Sequence, residues 1–357
     1  MSCTILGLET SCDETSAAVV VDGRDVRASL VSSQVKLHEK YGGIVPEIAS
    51  RAHIERIGPI VEETLAAAGV TYRDLDAIAV TAGPGLVGSL LVGVTAAKTL
   101  ALTCDLPLVP VDHIEAHATS AALVTNPPPW PAIALVVSGG HTSLYLVRGF
   151  LDIELLGQTV DDAAGEAFDK VAAILELGYP GGPVIDRVAQ GGNPRAVAFP
   201  RPSVGRSSTS PHSSELNFSF SGLKTAVLYH VHGSGKKYGS LAHLSAQGIA
   251  DIAASFQAAL VETLVAKTLA AAKQTAVTNV VVGGGVAANS ALRADLQTAC
   301  TQAGLTLHLT PMIHCTDNAA MIAALGYHRF LRGQTADLWL EPRAGLLRPK
   351  KGDKVAK

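Results

Sequence analysis

His113 and His117 stand four residues apart in the stretch VDHIEAHA, residues 111 to 118. At about 100° per residue in a helix, positions four apart lie nearly one above the other, so two imidazoles can reach one ion. Zinc proteases use this spacing as H-E-x-x-H, with the glutamate after the first histidine serving as general base. Here Ile114 holds that place, and Glu115 comes one later, toward another side of the helix. The protease motif is broken, and the pair by itself reads equally as two metal ligands or as two packed or solvated histidines. A third ligand would decide. Asp317, in IHCTDNAAMIAALG, stands just before an apolar-periodic segment, where an aspartate either caps a helix or completes a His-His-Asp site suited to iron or zinc.

Other residues offer different chemistry. Asp13 and Glu14 sit in the turn of ETSCDET, where paired carboxylates accept a proton from a nucleophile, hold a cation near phosphates, or simply solvate the turn. The segment SGGHTSL has the character of a phosphate or adenylate cradle: Ser138 and Thr142 bring hydroxyls, and Gly139 and Gly140 let a ligand approach the backbone. Asp169, read as a helix start in GEAFDKVA, and Asp186, after Gly181 and Gly182 in GYPGGPVIDRVA, are acceptors for ribose hydroxyls. Asn289, after GGGVAA, carries both a donor and an acceptor for a base or ribose edge. Each of these also has an ordinary use as a cap.

The elements that must position these groups follow from composition and pattern. A chain of 357 residues exceeds what one hydrophobic core fills, so two domains are expected. With 48% hydrophobic residues, 34 glycines and 4% aromatics, the core is Ala, Val, Leu and Ile packed closely through glycine, which suits a layered α/β protein. A net charge of -3 lacks the basic balance of a general nucleic-acid binder, so RNA contact must come from local patches or partners. The five cysteines, Cys3, Cys12, Cys104, Cys300 and Cys315, form no C-x-x-C pair and fit a reducing compartment. The start, MSCTILGLETSCDET, resembles neither a secretory signal nor a transit peptide, and a cytoplasmic protein is expected. The apolar segment Leu86 to Cys104, interrupted by Gly88, Gly93 and Lys98, reads as a buried helix.

Two stretches share one plan. CTILGLETSCDETSAAVVVDG and PAIALVVSGGHTSLYLVRG are each an apolar run, a polar turn and a second apolar run, the pattern of a β-hairpin. LDAIAVTAGPGLVGSLLVGVTAAKTLA and VTNVVVGGGVAANSALRADLQTAC then repeat a strand, a glycine turn and a helix. Such turns put helix N-termini at the carboxyl ends of parallel strands, where phosphates and nucleotides bind. The expected organisation is an N-terminal lobe over 1–128, with a C-terminal helix from about 318–345 packing back on it, a second lobe over 129–317 and a basic tail over 346–357. The linker is expected in TNPPPWP, 125–131, where three consecutive prolines break any helix. The Pro/Ser-rich stretch 193–217 carries Arg195, Arg201 and Arg206 and reads as a solvated loop or, with Lys224, as a local basic surface.

Taken jointly, LGLETSCDETSAAVV, VPEIASRAH, TAGPGLVGSLLVG, VDHIEAHA, LVVSGGHTSL, GEAFDKVA, YPGGPVID, FSFSGLKTAV, VVVGGGVAAN and CTDNAAMIA resemble the TsaD family, the tRNA N6-adenosine threonylcarbamoyltransferases once labelled O-sialoglycoprotein endopeptidases. The blocks run from residue 5 to about 325, and ETSCDET is similar to the bacterial and organellar branch. The resemblance implies an actin-like, sugar-kinase-like ATPase fold of two duplicated RNase H-like lobes around a cleft. It implies one divalent metal, Fe(2+) before Zn(2+), held by His113, His117 and Asp317. It implies an adenylate or ATP contacted by Val136, Val137, Ser138, Gly139, Gly140, Asp169, Gly182, Asp186 and Asn289. The implied reaction passes a threonylcarbamoyl group from L-threonylcarbamoyladenylate to N6 of adenosine 37 in the anticodon loop of tRNAs reading codons that begin with A, releasing AMP, with TsaB and TsaE as partners. Asp13 and Glu14 are the candidates for proton removal.

Three other classes compete. A metal-dependent glycoprotein endopeptidase is disfavoured by the misplaced Glu115. A non-catalytic ATP-binding scaffold would have no use for an intact His-His-Asp set, and an ATPase or carbohydrate kinase shares the fold without sharing the chemistry.

Overall fold

Both hairpins form. Thr4–Glu9 (β1) pairs antiparallel with Glu14–Val21 (β2), and Ala132–Val137 (β6) with Thr142–Gly149 (β7). The computed structural model describes residues 2–201, 215–233 and 241–345. Arg206, the 234–240 part of the loop HGSGKKYGS and the basic tail over 346–357 lie outside the described residues.

The chain forms two compact units, one of Met1–Gln34, Ile44–Ala116 and the residues from Asp317 onward, the other of Val35–Gly43 and His117–Thr316. In the first, β1 and β2 are joined by Asp25–Ser33 (β3), Ala77–Gly83 (β4) and Leu108–Asp112 (β5) in the order β3-β2-β1-β4-β5. In the second, β6 and β7 are joined by Asp152–Gln158 (β8), Asn279–Gly283 (β9) and Thr306–Leu309 (β10) in the order β10-β9-β6-β7-β8. Position for position these are the same sheet: an antiparallel meander of three strands, then two strands parallel to the first. The duplication is therefore real in topology, and both sheets have the actin-like, RNase H-like plan.

In the first unit the two faces of the sheet follow the period of 2 along β1. Leu6 and Leu8 point to Pro46–Ala68 (α2) and Val87–Cys104 (α3), where Ile60, Val61, Leu65, Val94 and Ala97 complete a buried cluster. Gly7 points the other way, to Ala319–Leu331 (α11), and a Cβ there would meet the Ala319 carbonyl and Ala323. Small residues thus bring α11 onto the sheet. The helix is shorter than the 318–345 expected: Gly333, at positive φ, donates to Phe330 while Gln334 donates to Arg329, and the pair of bonds closes the last turn.

In the second unit, Ile133, Leu135, Val137 and Leu144 pack with Ala164–Ile174 (α5), Ser221–His232 (α7) and the 30-residue Ala246–Thr275 (α8). Phe168 meets Phe256 edge to face at 5.4 Å between centroids. Each such buried side chain contributes about 1.5–3 kcal/mol. Gly181–Ala189 (α6) and Ser290–Gln302 (α9) flank α8, and the short helices Val35–His38 (α1) and Met312–Cys315 (α10) belong to the same unit. By length and composition α3 and α8 could each cross a membrane, yet α3 packs on β4 and α2, and α8 is largely buried among α6, α7 and α9. The segment 125–131 lies inside the second unit, within its long stretch His117–Thr316.

Candidate functional site

His113 and His117 both lie on the short helix His113–Thr119 (α4), as their spacing predicts. Asp112, ending β5, starts that helix by accepting the N–H of Ile114 at 2.9 Å and of Glu115 at 3.1 Å. Both histidines are buried, and one ligand atom from each, with one carboxylate oxygen of Asp317, all lie within 4.8 Å of one another. Asp317 is not the cap of α11. Asn318 is: its side chain accepts the Met321 N–H at 3.1 Å. The capping account of Asp317 falls away, and its Oδ1 stands 3.5 Å from His113 Nε2.

His113 is held from its far side. Nδ1 donates to Glu9 Oε2 at 2.8 Å, with Ser11 Oγ 3.2 Å away. Glu9 is fully buried and also accepts the Thr81 hydroxyl at 2.6 Å and the Ser11 N–H at 2.5 Å. Burial works against the His113 imidazolium, but the charges of Glu9 and Asp317 overcome it and hold the ring well above its usual pKa. Burial likewise opposes ionisation of Glu9, and His113 draws it below the usual value.

The donor set fits a divalent ion. With bonds of about 2.1 Å at a tetrahedral angle, two donors stand about 3.4 Å apart, close to the His113–Asp317 separation. Two imidazoles and a carboxylate suit zinc or ferrous iron. Glu115 lies 3.5 Å from Arg329, and the place of the protease general base is taken by Ile114.

Asp13 ends the β1–β2 turn as expected, whereas Glu14 already opens β2, paired with Ser33 of β3. Glu14 accepts the Ser33 hydroxyl at 3.0 Å. Burial first, then the charges of Asp13 and Asp317, push its carboxyl up to about 10, the mark of acids gathered where positive charge belongs. The turn rests on His53, which is fully buried: Nε2–H donates to the Cys12 carbonyl at 3.0 Å, and Nδ1 lies 2.8 Å from the Thr15 hydroxyl. Glu9 and His53 were not legible as site residues; the one signal was an acid ending an apolar run in LGLE.

The adenylate candidates all belong to the second unit. Val136 and Val137 end β6, fully buried, and Ser138 opens the turn with its Oγ accepting the His141 N–H at 3.2 Å. Gly139 and Gly140 are exposed, and a Cβ on either would meet nothing within 4 Å. Thr142 differs from expectation: it is fully buried and its hydroxyl accepts the Ala164 N–H at 2.8 Å, so it starts α5 instead of lining a cradle. Asp169 lies in the middle of α5, not at its start, and accepts the Gly181 N–H at 2.7 Å. Asp186 accepts the hydroxyl of Ser290 at 2.7 Å and its N–H at 3.1 Å, while Asn289 caps α9 by accepting Leu292 N–H at 2.9 Å and donates to Gln257 at 2.8 Å.

Tight and open glycines occur side by side: at Gly284 of the second unit a Cβ would run into the Val137 carbonyl. Gly85 is taken up in packing, since a Cβ there would stand 2.5 Å from the Ser11 carbonyl, whereas Gly182, like Gly139 and Gly140, faces open space. Of the basic group, Arg201 is paired with Glu262 at 2.7 Å and Lys224 with Asp162 at 2.9 Å, and Arg195 is exposed.

A family model, TsaD, described as tRNA N6-adenosine threonylcarbamoyltransferase, matches residues 25–324. The chain is similar to the tRNA N6-adenosine threonylcarbamoyltransferase of Symbiobacterium thermophilum, 52% identical over 342 residues that cover 96% of each chain. The protein of the same description from Trichlorobacter lovleyi is 52% identical over 340 residues, 95% of each. Among solved structures, HypF from T. kodakarensis superposes with a TM-score of 0.62 at 16% identity, over 93% of this chain and 48% of that one, a likeness of fold.

Proposed function

Because this chain belongs to the TsaD family of tRNA N6-adenosine threonylcarbamoyltransferases, and is thus a tRNA-modifying transferase, we propose that it acylates N6 of adenosine 37 from L-threonylcarbamoyladenylate. The observation that carries the reading at the level of the site is the meeting of His113, His117 and Asp317, a buried donor set for one divalent ion, with Glu115 3.5 Å from Arg329. An endopeptidase would need a base where Ile114 stands.

The exocyclic amine of adenosine is a poor nucleophile. It attacks the carbamoyl carbon of the donor, the bond from that carbon to the phosphate oxygen breaks, and AMP departs with the electron pair. The proton shed by N6 goes to the Asp13–Glu14 pair, which the buried His53 holds in place through the Cys12 carbonyl. His113, His117 and Asp317 would hold a divalent ion, which when bound would supply Lewis-acid polarisation of the carbamoyl oxygen. Iron(II) is our first assignment and zinc the second, on the His-His-carboxylate set.

The adenylate portion is assigned to Val136, Val137, Ser138, Gly139, Gly140, Asp169, Gly182, Asp186 and Asn289. Support comes from the open space over Gly139, Gly140 and Gly182, which lets phosphate oxygens approach backbone N–H groups. Arg195 is the basic residue we assign to the anticodon loop; Arg201 and Lys224 would have to exchange Glu262 and Asp162 for phosphate. TsaB and TsaE are the proposed partners, and a tRNA substrate argues for the cytoplasm. The test is direct: the purified protein, given tRNA and L-threonylcarbamoyladenylate with these partners, yields threonylcarbamoyladenosine and AMP in equal amounts. No modified nucleoside under those conditions would overturn the reading.

A further inference from the structure

We propose that Glu9 is the positioning residue of the metal centre: it fixes the ring of His113 so that Nε2 is presented, beside Asp317, to a divalent ion. The inference rests on the reading of His113, His117 and Asp317 as metal ligands and adds a residue that belongs to neither the ligands nor the acid pair.

The geometry is that of a carboxylate behind a metal-bound imidazole. Glu9 ends β1, a central strand flanked by β2 and β4; its backbone pairs with Ser16 of β2, and the ladder to β4 holds the residue before it, Leu8, against Val80. Its side chain is wholly buried. Both oxygens are used: Oε1 by the Ser11 N–H, and Oε2 by the Thr81 hydroxyl from β4 and by His113 Nδ1. An ionised carboxylate accepts at both oxygens and donates at neither, so three donors converging on one group call for glutamate, not glutamine. The bond assigns the His113 proton to Nδ1. Nε2, which stands 3.5 Å from Asp317 Oδ1, is then the atom whose proton an ion would displace and whose lone pair it would meet. A buried carboxylate is costly unless paired, and partners of this kind orient the ring and raise its basicity toward the metal.

The competing account is structural: Glu9 merely neutralises a buried His113 and ties β1 to β4. The two differ in what happens to metal affinity when the charge is removed at constant shape. Full-length Glu9→Gln, stripped of metal, is titrated with Co(II), Zn(II) and anaerobic Fe(II) against a competing chelator, and the d–d absorption of the Co(II) form is recorded. The expected result is affinity weaker by about 10–100-fold, the usual effect of losing such a partner, and a shifted Co(II) spectrum. Thr81→Val, which removes one bond to Glu9 and leaves His113 untouched, is expected to weaken binding in the same direction by less, and it carries the test if Glu9→Gln does not fold.

Wild-type affinity and an unchanged Co(II) spectrum in the folded variants, with only thermal stability lowered, would overturn the inference. His113→Ala separates that failure from failure of the underlying reading. If His113→Ala loses the ion while Glu9→Gln and Thr81→Val keep it at full strength, the ligands stand and the role of Glu9 falls. If His113→Ala also binds normally, the metal site itself is wrong, and the inference goes with it.

Discussion

Asp317 Oδ1 stands 3.5 Å from Nε2 of His113, while the residue after it, Asn318, caps α11 through the Met321 N–H. Two adjacent polar residues thus divide the work. Asn318→Ala should lower stability by about 0.5–2 kcal/mol with the metal site intact. Asp317→Ala should also lower the stability of the metal-free protein, since it takes a counter-charge from the buried His113, but unlike Asn318→Ala it should abolish transfer to tRNA. Loss of transfer in Asn318→Ala equal to that in Asp317→Ala, measured where both are folded, would show that the division is wrong.

Metal dependence follows from the same geometry. Chelation of the purified protein should remove transferase activity, and ferrous iron or zinc added back should restore it. His113→Ala and His117→Ala should each lose more affinity than the roughly 10–100-fold expected for an outer partner, since each removes a ligand. Metal content measured by mass spectrometry decides the point. Near-stoichiometric metal in both variants would remove the centre.

The duplicated sheets were legible because each hairpin announces itself as an apolar run, a polar turn and a second apolar run, and each following strand ends in glycine. The His113–His117 pair was legible from spacing. What the sequence hid was pairing over long separations. Glu9 is 104 residues from His113 and 72 from Thr81, and along the chain it looks like the first polar residue of a turn. Asp169 looks like a helix start, yet α5 begins at Ala164, where the Thr142 hydroxyl from another strand accepts the first N–H. Glycine turns are equally opaque, because a residue tight against Ser11 and one facing open space are both written Gly.

That distinction among glycines is testable within one short segment. At Gly181 a Cβ would stand 2.6 Å from the Asp169 Cα and the Phe168 carbonyl, whereas at Gly182 it would meet nothing within 4 Å. Gly181→Ala should therefore cost about 1–3 kcal/mol, as overpacking does. Gly182→Ala should leave stability unchanged or raise it by up to about 1 kcal/mol, since both lie in α6. If an adenylate approaches there, Gly182→Ala should still raise KM for the donor. Thermal unfolding with donor titrations reads both effects; a Gly182→Ala variant with normal donor KM would exclude that approach.

Asp161 supplies a pH-dependent prediction away from the metal centre. Its Oδ1 accepts the Phe220 N–H at 2.8 Å and the Ser221 N–H at 3.3 Å, and its Oδ2 accepts the hydroxyls of Ser219 at 2.5 Å and Ser221 at 2.7 Å, anchoring the start of α7. Burial raises its pKa, but the two hydroxyls and then the two N–H groups outweigh burial and hold the carboxyl below its ordinary value. A depressed folded pKa means the folded state binds fewer protons than the unfolded one. The stabilisation is therefore complete above the unfolded value of about 3.9 and is lost as pH falls through the folded value. Asp161→Asn should cost roughly 1 kcal/mol at pH 7, a charged hydrogen-bond contribution trimmed for solvent screening. Urea unfolding of both proteins between pH 7 and 3 should show the gap closing below about pH 4. A gap that stays constant across that range would mean that the charge of Asp161 does not anchor α7.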